Sequence, residues 1–529
     1  MSALAGTAEL VRLNLRRDRI VIAVCVVAFV AIALLTTSSI DNLYPTRADR
    51  VALGATIVDN PAISAVRGNP RELDTLGGLV TFQIGVLFSV FVALISLLLV
   101  VRHTRGDEEA GRAELVLSAA TGRYAPTTAA LLVVAGADLL IAAGVTLGLV
   151  AYGLPVAGSL GLGVWFGAVG LIFAAVAAVS AQLSPNARTA SGIALAVLGA
   201  SYGLRAGGDA GADALSWLSP IGWAQQTRPF ADERWWPLLP LLTVTIALVA
   251  LAYRLLARRD HGAGLLPERP GPPTAAPALG RPLGLALRLQ RGTLIAWSVG
   301  LGLLGVVYGA VADGVEDLVE DNDQLREIFA RVGGVELVDS FYASSLLILA
   351  LIGTGFTIQS TLRARGEESA GRAAVVLATA TSRASFGGSH LAVALAGSAL
   401  LLAAGGVGEG IGVVLGTGNP GELPRLVAAS LAHLPAMWVL GGIAALVFGF
   451  APRAVMLVWG AFALCFFLAM FGELLDVPGW LIDISPFSHI PDVPATSLTL
   501  PPLIVLTLIA AALIAAGLAA FRHRDLATD

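Results

Sequence analysis

Lysine is missing from this sequence of 529 residues, in which all 33 basic side chains are arginine. A phosphate-binding P-loop needs a lysine that reaches the β- and γ-phosphates of the nucleotide. The absence of lysine therefore excludes an ATP site of that kind on this chain, and it excludes Schiff-base chemistry as well. We expect no catalytic residue and no bound cofactor here, so that the chain is not an enzyme by itself.

Cysteine and charged residues are also scarce. Cys25 and Cys465 lie in separate apolar runs without metal-ligand spacing, so we interpret both as small packing residues and expect no metal site. Only 13% of the residues are charged, against roughly a quarter in soluble globular proteins. The mean hydropathy is +0.80. A chain of this composition needs the lipid bilayer as its solvent.

Apolar runs of about 20 residues, long enough to cross a bilayer, recur along the whole chain. They predict an all-α integral membrane protein with about 12 transmembrane helices in two halves of six. The first half is 1–260, the linker is 261–282 and the second half is 283–529. An amphipathic surface helix is expected at 4–19. The predicted spans lie near residues 20–36, 79–101, 127–150, 160–181, 189–204, 238–257, 294–312, 343–361, 391–415, 426–449, 454–472 and 502–521.

Charge placement predicts the orientation in the membrane. Arginines follow the sixth span at Arg258 and Arg259 and the twelfth at Arg522 and Arg524, and the positive-inside rule assigns these ends to the cytoplasm. The segment 313–339 contains nine acids and fits the outer side, as does 38–78, and each is expected to form a small helical cap. We therefore expect a multi-pass cell-membrane protein with both termini in the cytoplasm.

One segment occurs twice, at an offset of 260 residues. Residues 105–123 read RGDEEAGRAELVLSAATGR and residues 365–383 read RGEESAGRAAVVLATATSR, with 12 of 19 positions identical. Each copy follows the second span of its half. The two halves therefore have the same order of parts, as in membrane proteins built from parallel repeats. This organisation favours a transporter or a channel.

The repeated segment predicts a short cytoplasmic coupling helix in each half. Acids cluster at its start, where the positive end of a helix favours them. Glu108 and Arg112, like Glu368 and Arg372, have the i,i+4 spacing of a helix-stabilising pair, and a glycine in the middle leaves room for another surface. A solvated loop helix is the alternative. The residues assigned to coupling are Asp107, Glu108, Glu109, Gly111, Arg112, Glu367, Glu368, Gly371 and Arg372.

The order of surface helix, span, long outer segment, span and E-x-x-x-G-R helix resembles the ABC exporter permeases of the type V fold. Within that group it is similar to the actinobacterial polyketide-antibiotic exporters, the tetronasin-resistance-like permeases with two fused halves. The outer segment DNPAISAVRGNPRELDTLGGL, residues 59–79, is typical of those proteins. One departure is that Glu114 in the first copy corresponds to Ala374 in the second.

The resemblance implies an ATP-driven exporter of antibiotics, drugs or lipids, with a role in multidrug efflux and antibiotic resistance. Two copies of a separate ABC ATPase subunit, which hold ATP and Mg²⁺, would dock on the coupling helices. The other partners are the lipid bilayer and a hydrophobic small-molecule substrate, and no nucleic acid is expected.

The resemblance also implies a substrate path between the two halves, where spans 2 and 5 of the first half face spans 8 and 11 of the second. Aromatic and methionine side chains suit large amphipathic ligands. The candidates on these spans are Phe82, Phe88, Phe91, Tyr202, Phe356, Phe466, Phe467, Met470 and Phe471. Aromatic side chains also serve as ordinary packing residues.

A second class of function stays open, an ion- or proton-coupled carrier that needs no ATPase. Such carriers use acids inside the membrane as relays. Asp138 lies within the third span and is added to the candidate path, although a structural, hydrogen-bonded acid is the alternative. Its counterpart at the repeat offset is Ser398, so that a symmetric relay is not expected. Glu409, near the end of the ninth span, is expected at a polar mouth.

Overall fold

The computed structural model describes residues 3–58, 61–117, 121–209, 211, 213–260, 262–266, 273–320, 334–471 and 477–526. The described chain is all-helical and divides into two compact units, Met1–Pro270 and Gly271–Asp529. The boundary falls inside the segment predicted as a linker. Within the described residues, ten helices are long and apolar enough to cross a membrane. The prediction of an all-α integral membrane protein is confirmed.

The helices of the first unit begin with a single helix of 37 residues, which contains the predicted surface helix and the first span together. No glycine or proline interrupts the sequence of this segment, so the helix continues without a break. The helices are α1 (Thr7–Leu43), α2 (Arg47–Val58), α3 (Pro61–Arg67), α4 (Leu76–Val101), α5 (Asp107–Glu109), α6 (Arg112–Leu117), α7 (Ala125–Tyr152), α8 (Val156–Leu183), α9 (Ala187–Asp209), α10 (Pro220–Gln225) and α11 (Leu238–Arg258).

The second unit repeats this order of long and short helices. Its tenth predicted span is divided at His433, one residue before α18, whose second residue is Pro435. The helices are α12 (Pro282–Glu320), α13 (Gly334–Thr361), α14 (Arg363–Ser369), α15 (Arg372–Leu377), α16 (Arg383–Thr417), α17 (Glu422–Leu431), α18 (Leu434–Phe450), α19 (Met456–Phe471), α20 (Gly479–Ile482) and α21 (Leu500–His523).

Two of the predicted spans are not among the ten membrane-length apolar helices. The fifth coincides with α9, whose 23 residues include Arg188, Arg205 and Asp209. The eleventh coincides with α19, which has only 16 described residues and rises about 24 Å at 1.5 Å per residue. Neither helix combines the length and the apolarity of the other ten, so a count of twelve stays a prediction.

The outer segments differ in how far they are described. Segment 38–78 contains α2 and α3, with an ion pair between Arg50 and Asp41 at 3.2 Å. The helical cap that the sequence predicts for this segment corresponds to α2 and α3. In segment 313–339, α12 continues to Glu320, and residues 321–333 lie outside the described residues.

Each unit has its own core. In the first, α8 lies at the centre against α4 and α7, with Trp165, Phe166 and Phe173 buried. In the second, α12 and α16 approach backbone to backbone, because a Cβ atom at Gly408 would lie 2.0 Å from the carbonyl oxygen of Gly302. Small residues permit such close helix packing within membranes.

Candidate functional site

The repeated segment forms two short helices joined at a glycine in each unit. Gly111 separates α5 from α6 with φ of 70°, and Gly371 separates α14 from α15 with φ of 72°. Residues with a side chain rarely adopt this left-handed conformation. A Cβ atom at either position would meet no atom within 4 Å, so the glycine is needed for the backbone turn and not for close approach.

Glu108 is held inside the first unit by two arginines. Arg259 donates two hydrogen bonds to the two carboxylate oxygens, at 2.5 and 3.0 Å, and Arg105 donates one at 2.8 Å. The side chains of all three residues are at most 10% exposed. Bidentate, charge-assisted hydrogen bonds of this type are the strongest in proteins. This contact ties the start of the coupling segment to the end of α11.

Glu368 has the same arrangement in the second unit. Arg524 donates two hydrogen bonds to its two carboxylate oxygens, at 2.6 and 2.7 Å, and the Glu368 side chain is 1% exposed. The guanidinium group of Arg524 also lies over the rings of Phe448 and Phe521, at 5.0 and 5.1 Å. The second coupling segment is thereby tied to the end of α21.

A further arginine completes the arrangement in each unit. Arg123 donates to the backbone carbonyl oxygen of Arg259 at 2.6 Å, and Arg383 donates to that of Arg524. The first arginine of the first copy is also held in place, because Arg105 donates a hydrogen bond to the backbone carbonyl oxygen of Ala181 at 2.9 Å. Each coupling segment is thus bonded at both of its ends to the last long helix of its unit. We call this set of contacts the mount.

The predicted i,i+4 pairs are replaced by other pairs. Arg112 bonds Asp107 at 2.8 Å, and Arg372 bonds Glu367 at 2.6 Å. The left-handed glycine interrupts the helix between the acid and the arginine, so the helical register that an i,i+4 pair requires is lost. The hydrogen bond from Arg372 to Glu367 raises the pKa of this guanidinium group, which keeps it charged.

The turn between the two short helices is the exposed part of each segment, and we call it the tip. Ala110 and Arg112 are exposed in the first unit, as are Ala370 and Arg372 in the second. Glu109 accepts a hydrogen bond at 2.9 Å from the backbone N–H of Ala187, at the start of α9. The assigned residues therefore divide into anchors with little exposure, chiefly Glu108 at 10% and Glu368 at 1%, and an exposed tip.

A groove of about 560 Å³ lies between α4 and α9, the second and fifth long helices of the first unit. Two of the predicted path residues line it. Phe91 is 47% exposed, and the Tyr202 hydroxyl donates to the carbonyl oxygen of Val66 at 3.3 Å. Nearly all of the remaining wall is aliphatic, with Arg67 and Gln83 at one end.

Three other path candidates have packing positions. Phe88 is 3% exposed and packs against Phe29 and Phe166, with ring centroids 4.9 and 5.5 Å apart. Phe82 is buried in a small cluster with Leu73, and Phe356 is fully buried near Trp297. These positions differ from the path predicted for these residues, because each side chain points into the core of its own unit.

The remaining candidates lie on α19 of the second unit. Phe466 and Met470 are partly buried against the core, whereas Phe467 is 44% exposed. The side chain of Phe471 lies outside the described residues. Of this group, Phe467 has the exposure that a ligand contact requires.

The two intramembrane acids are buried within their units. Asp138 on α7 is 2% exposed and accepts a hydrogen bond from Ser96 on α4 at 2.6 Å. Glu409 on α16 is fully buried and is hydrogen-bonded by Ser345 on α13. The expectation of a polar mouth at Glu409 is wrong, because helices enclose it. Neither acid borders the groove.

Sequence reasoning missed the arginines of the mount. Arg105 and Arg123 bound the first copy of the repeated segment and are identical in the second copy at Arg365 and Arg383. Their repetition was a usable signal. Arg259 lies 151 residues from Glu108, and neither periodicity nor spacing indicates that pair.

Comparison with known proteins identifies the family. A family model described as "Multidrug efflux system permease Rv1217c, C-terminal domain" matches residues 8–255 and 279–522. The multidrug efflux system permease protein Rv1217c of Mycobacterium tuberculosis (strain ATCC 25618 / H37Rv) is 44% identical over 527 residues, which cover 99% of this chain and 96% of that protein. With its multi-pass helical architecture and full-length similarity, the chain belongs to the multidrug efflux system permease family of Rv1217c.

Proposed function

We propose that the chain is the membrane subunit of an ATP-driven ABC exporter with the type V fold, similar to the tetronasin-resistance-like permeases. Two copies of a separate ATPase subunit bind ATP and Mg²⁺ and dock on the cytoplasmic tips. The cargo is a hydrophobic or amphipathic compound that leaves the cell. Both termini lie in the cytoplasm, and the bilayer is the cell membrane.

The observation that carries this proposal is the duplicated mount. A movement of the partner is transmitted to the membrane helices only if the contact between them is rigid. Glu108 with Arg259, and Glu368 with Arg524, supply buried bidentate bonds between each tip and the last long helix of its unit. A solvated loop has no need of such an anchor, so its presence in both units favours a coupling role.

The tip itself has the properties of a docking surface. Its alanines are exposed, and its arginines are held by neighbouring acids in defined positions. The exposed positions of the two segments are not identical, because Glu109 corresponds to Ser369 and Glu114 corresponds to Ala374. These differences support two docking sites that are similar but not equivalent.

The missing lysine supports a motor on another polypeptide. Without a P-loop lysine this chain does not bind the β- and γ-phosphates in the manner of a P-loop ATPase. The proposed assembly therefore separates the energy source from the path, with no catalytic residue on the permease.

The groove between α4 and α9 supports a substrate path in the first unit. A mostly aliphatic wall with Phe91, Tyr202 and Arg67 suits a large molecule that is apolar along most of its length. The name of the relative, a multidrug efflux permease, agrees with an adaptable site of this kind.

The alternative, a carrier driven by protons through Asp138, is less well supported. A relay acid must exchange protons with the path, whereas Asp138 is enclosed by α4 and α8 and bonded to Ser96. We therefore assign Asp138 a structural role in the proposal.

Bulky substitutions at the tips test the docking. Ala110 and Ala370 are exposed, so A110W/A370W leaves the permease folded while it obstructs a partner surface. Ala48, exposed on α2 of the outer segment, provides the matched control A48W. We expect co-purification of the ATPase with the wild type and with A48W, and at least a tenfold loss with A110W/A370W. Undiminished co-purification with the double variant would contradict docking at the tips.

A further inference from the structure

Three arginines converge on a chamber of about 220 Å³ in the first unit, outside the proposed coupling site and the groove. Arg71 precedes α4, whereas Arg228 and Arg234 belong to the loop between α10 and α11. Asp213 is the acid in the lining, which leaves a formal excess of two positive charges. A chamber of this size accommodates several non-hydrogen atoms of a ligand together with water.

Three buried N–H donors lie in the lining of this chamber or in the cavity next to it. Among the described residues, no hydrogen-bond partner is found for Nε of Arg71, Nε of Arg228 or Nε1 of Trp165, although these atoms are buried. All three residues line a small cavity of about 30 Å³ that shares Arg71 and Arg228 with the chamber. Buried donors in native proteins almost always have an acceptor. These donors therefore point to an acceptor-rich, anionic occupant.

Among the described residues, Arg234 is paired with Asp232, whereas no acid forms an ion pair with Arg71 or Arg228. Asp209 is taken up by other groups, because Arg205 bonds it at 3.0 Å and Asn69 and Gln225 donate to it as well. Asp232 forms an ion pair with Arg234 at 3.2 Å, and its side chain is 80% exposed. Burial and the nearby Arg228 lower the pKa of Arg71 below its ordinary value, although Asp209 and Asp213 act in the opposite direction. Arginine side chains that repel one another in this way are expected where a ligand supplies the missing negative charge.

The backbone around the chamber is strained. Arg228, Phe230 and Glu72 have φ values of 51°, 62° and 47°, in the left-handed region that side chains disfavour. Such strain persists where the surrounding structure fixes it, and it concentrates at ligand-binding sites. The positions of Arg71 and Arg228 are therefore set by the fold and are not adjustable surface contacts.

Two tryptophans indicate the level of the bilayer at which the chamber lies. Trp217 and Trp236 line it and stack with ring centroids 5.2 Å apart and an interplanar angle of 14°. Both are partly exposed, at 39% and 51%. Tryptophan is enriched at the level of the lipid headgroups. At this level, both dissolved anions and the headgroups of amphiphiles reach a site on the protein.

We propose that this chamber is a binding site for an oxyanion group, a carboxylate or a phosphate, held by Arg71 and Arg228. The planar guanidinium group offers two parallel N–H donors that match the spacing of oxyanion oxygens. The group comes either from a free anion or from the headgroup of an anionic amphiphile. This site is independent of ATP and of the ATPase, so its test does not depend on the proposed transport function.

Thermal unfolding of the purified permease tests the site. In one arm, inorganic phosphate is titrated in detergent. In the other, nanodiscs of phosphatidylcholine are compared with nanodiscs that contain phosphatidylglycerol. We expect the anion to raise Tm by about 2–4 °C in at least one arm. R71Q/R228Q loses this rise, and each single variant weakens binding about 10–100-fold. A response to phosphate identifies a free anion, whereas a response to phosphatidylglycerol alone identifies a headgroup.

The controls separate a ligand site from a structural role. Arg47 lies on the same outer segment and is paired with Asp74, so R47Q removes the same charge as either single variant and retains the response. Without anion, R71Q and R228Q are as stable as the wild type or more so, because like charges are removed. A structural arginine would instead lose stability without ligand. The proposal is overturned if no anion shifts the wild type, or if R47Q and R71Q/R228Q lose the response equally.

Discussion

Glu368 and Arg524 lie 156 residues apart in the sequence and face each other with both carboxylate oxygens and two guanidinium nitrogens engaged, at 2.6 and 2.7 Å. Glu108 and Arg259 have the same relationship in the first unit. The repeated segment is thus bonded to the last long helix in both units, and this duplicated anchor is the basis of the proposed coupling.

Removing one member of the Glu368–Arg524 pair destabilises the permease. E368A leaves the guanidinium group of Arg524, whose side chain is only 15% exposed, without its carboxylate, which costs up to about 3–5 kcal/mol. E368A/R524A costs less than the sum of the two single variants, because no buried charge is left unpaired. Thermal unfolding in detergent of the wild type and the three variants measures this difference.

Arg372 provides the matched control for that experiment. It also pairs with an acid of the coupling segment, Glu367, but its side chain is 59% exposed. Glu367 is also paired with Arg363 at 2.9 Å, so R372A leaves no buried charge unpaired and is expected to cost only about 0–1 kcal/mol. If R372A and E368A lower the stability of the permease equally, the low exposure of the Glu368 pair does not explain its contribution to stability.

Phe88 and Phe91 lie one turn apart on α4 and have opposite roles. F88A removes a ring that packs between Phe29 and Phe166, and it costs about 3–5 kcal/mol. F91A removes an exposed ring from the groove wall, so it leaves the stability nearly unchanged and alters drug binding. Thermal unfolding and ligand-binding measurements on both variants check this. Equal loss of stability in the two would contradict the assignment.

Asp138 is predicted to be structural and not a proton relay. D138N retains a group that is able to hydrogen-bond Ser96, so it preserves ATP-driven export. G170A is expected to be more harmful, because a Cβ atom there would lie 2.4 to 2.6 Å from atoms of the Asp138 carboxylate group. Export by vesicles with each variant distinguishes the two roles, and loss of export in a folded D138N protein would favour the carrier.

The sequence predicts the membrane class and the repeated segment because both depend on local patterns. Apolar runs near 20 residues locate the helices, and the offset of 260 residues locates both coupling segments. It does not predict which side chains are exposed. Glu108 and Glu368 resemble free contact residues in a charged loop, whereas both are buried against arginines that follow the last long helix of each unit.

The incorrect predictions for individual residues have physical causes. A glycine in a short helix fits both a close contact and a left-handed turn, and only the backbone angles of Gly111 and Gly371 distinguish them. An aromatic side chain on an apolar helix likewise fits the core or a groove. The sequence therefore does not distinguish the buried Phe82 and Phe88 from the exposed Phe91. Helix rotation about its own axis decides these cases, and a uniformly apolar helix gives no periodic signal for that rotation.

Transport by proteoliposomes that contain the permease and its ATPase tests the central claim most directly. With ATP present, the account predicts drug transport that continues when a protonophore dissipates the proton gradient. Transport stops when the ATPase is omitted or when the permease carries A110W/A370W. Transport by the permease alone in response to a pH gradient, or its loss on addition of the protonophore at constant ATP, would contradict the account.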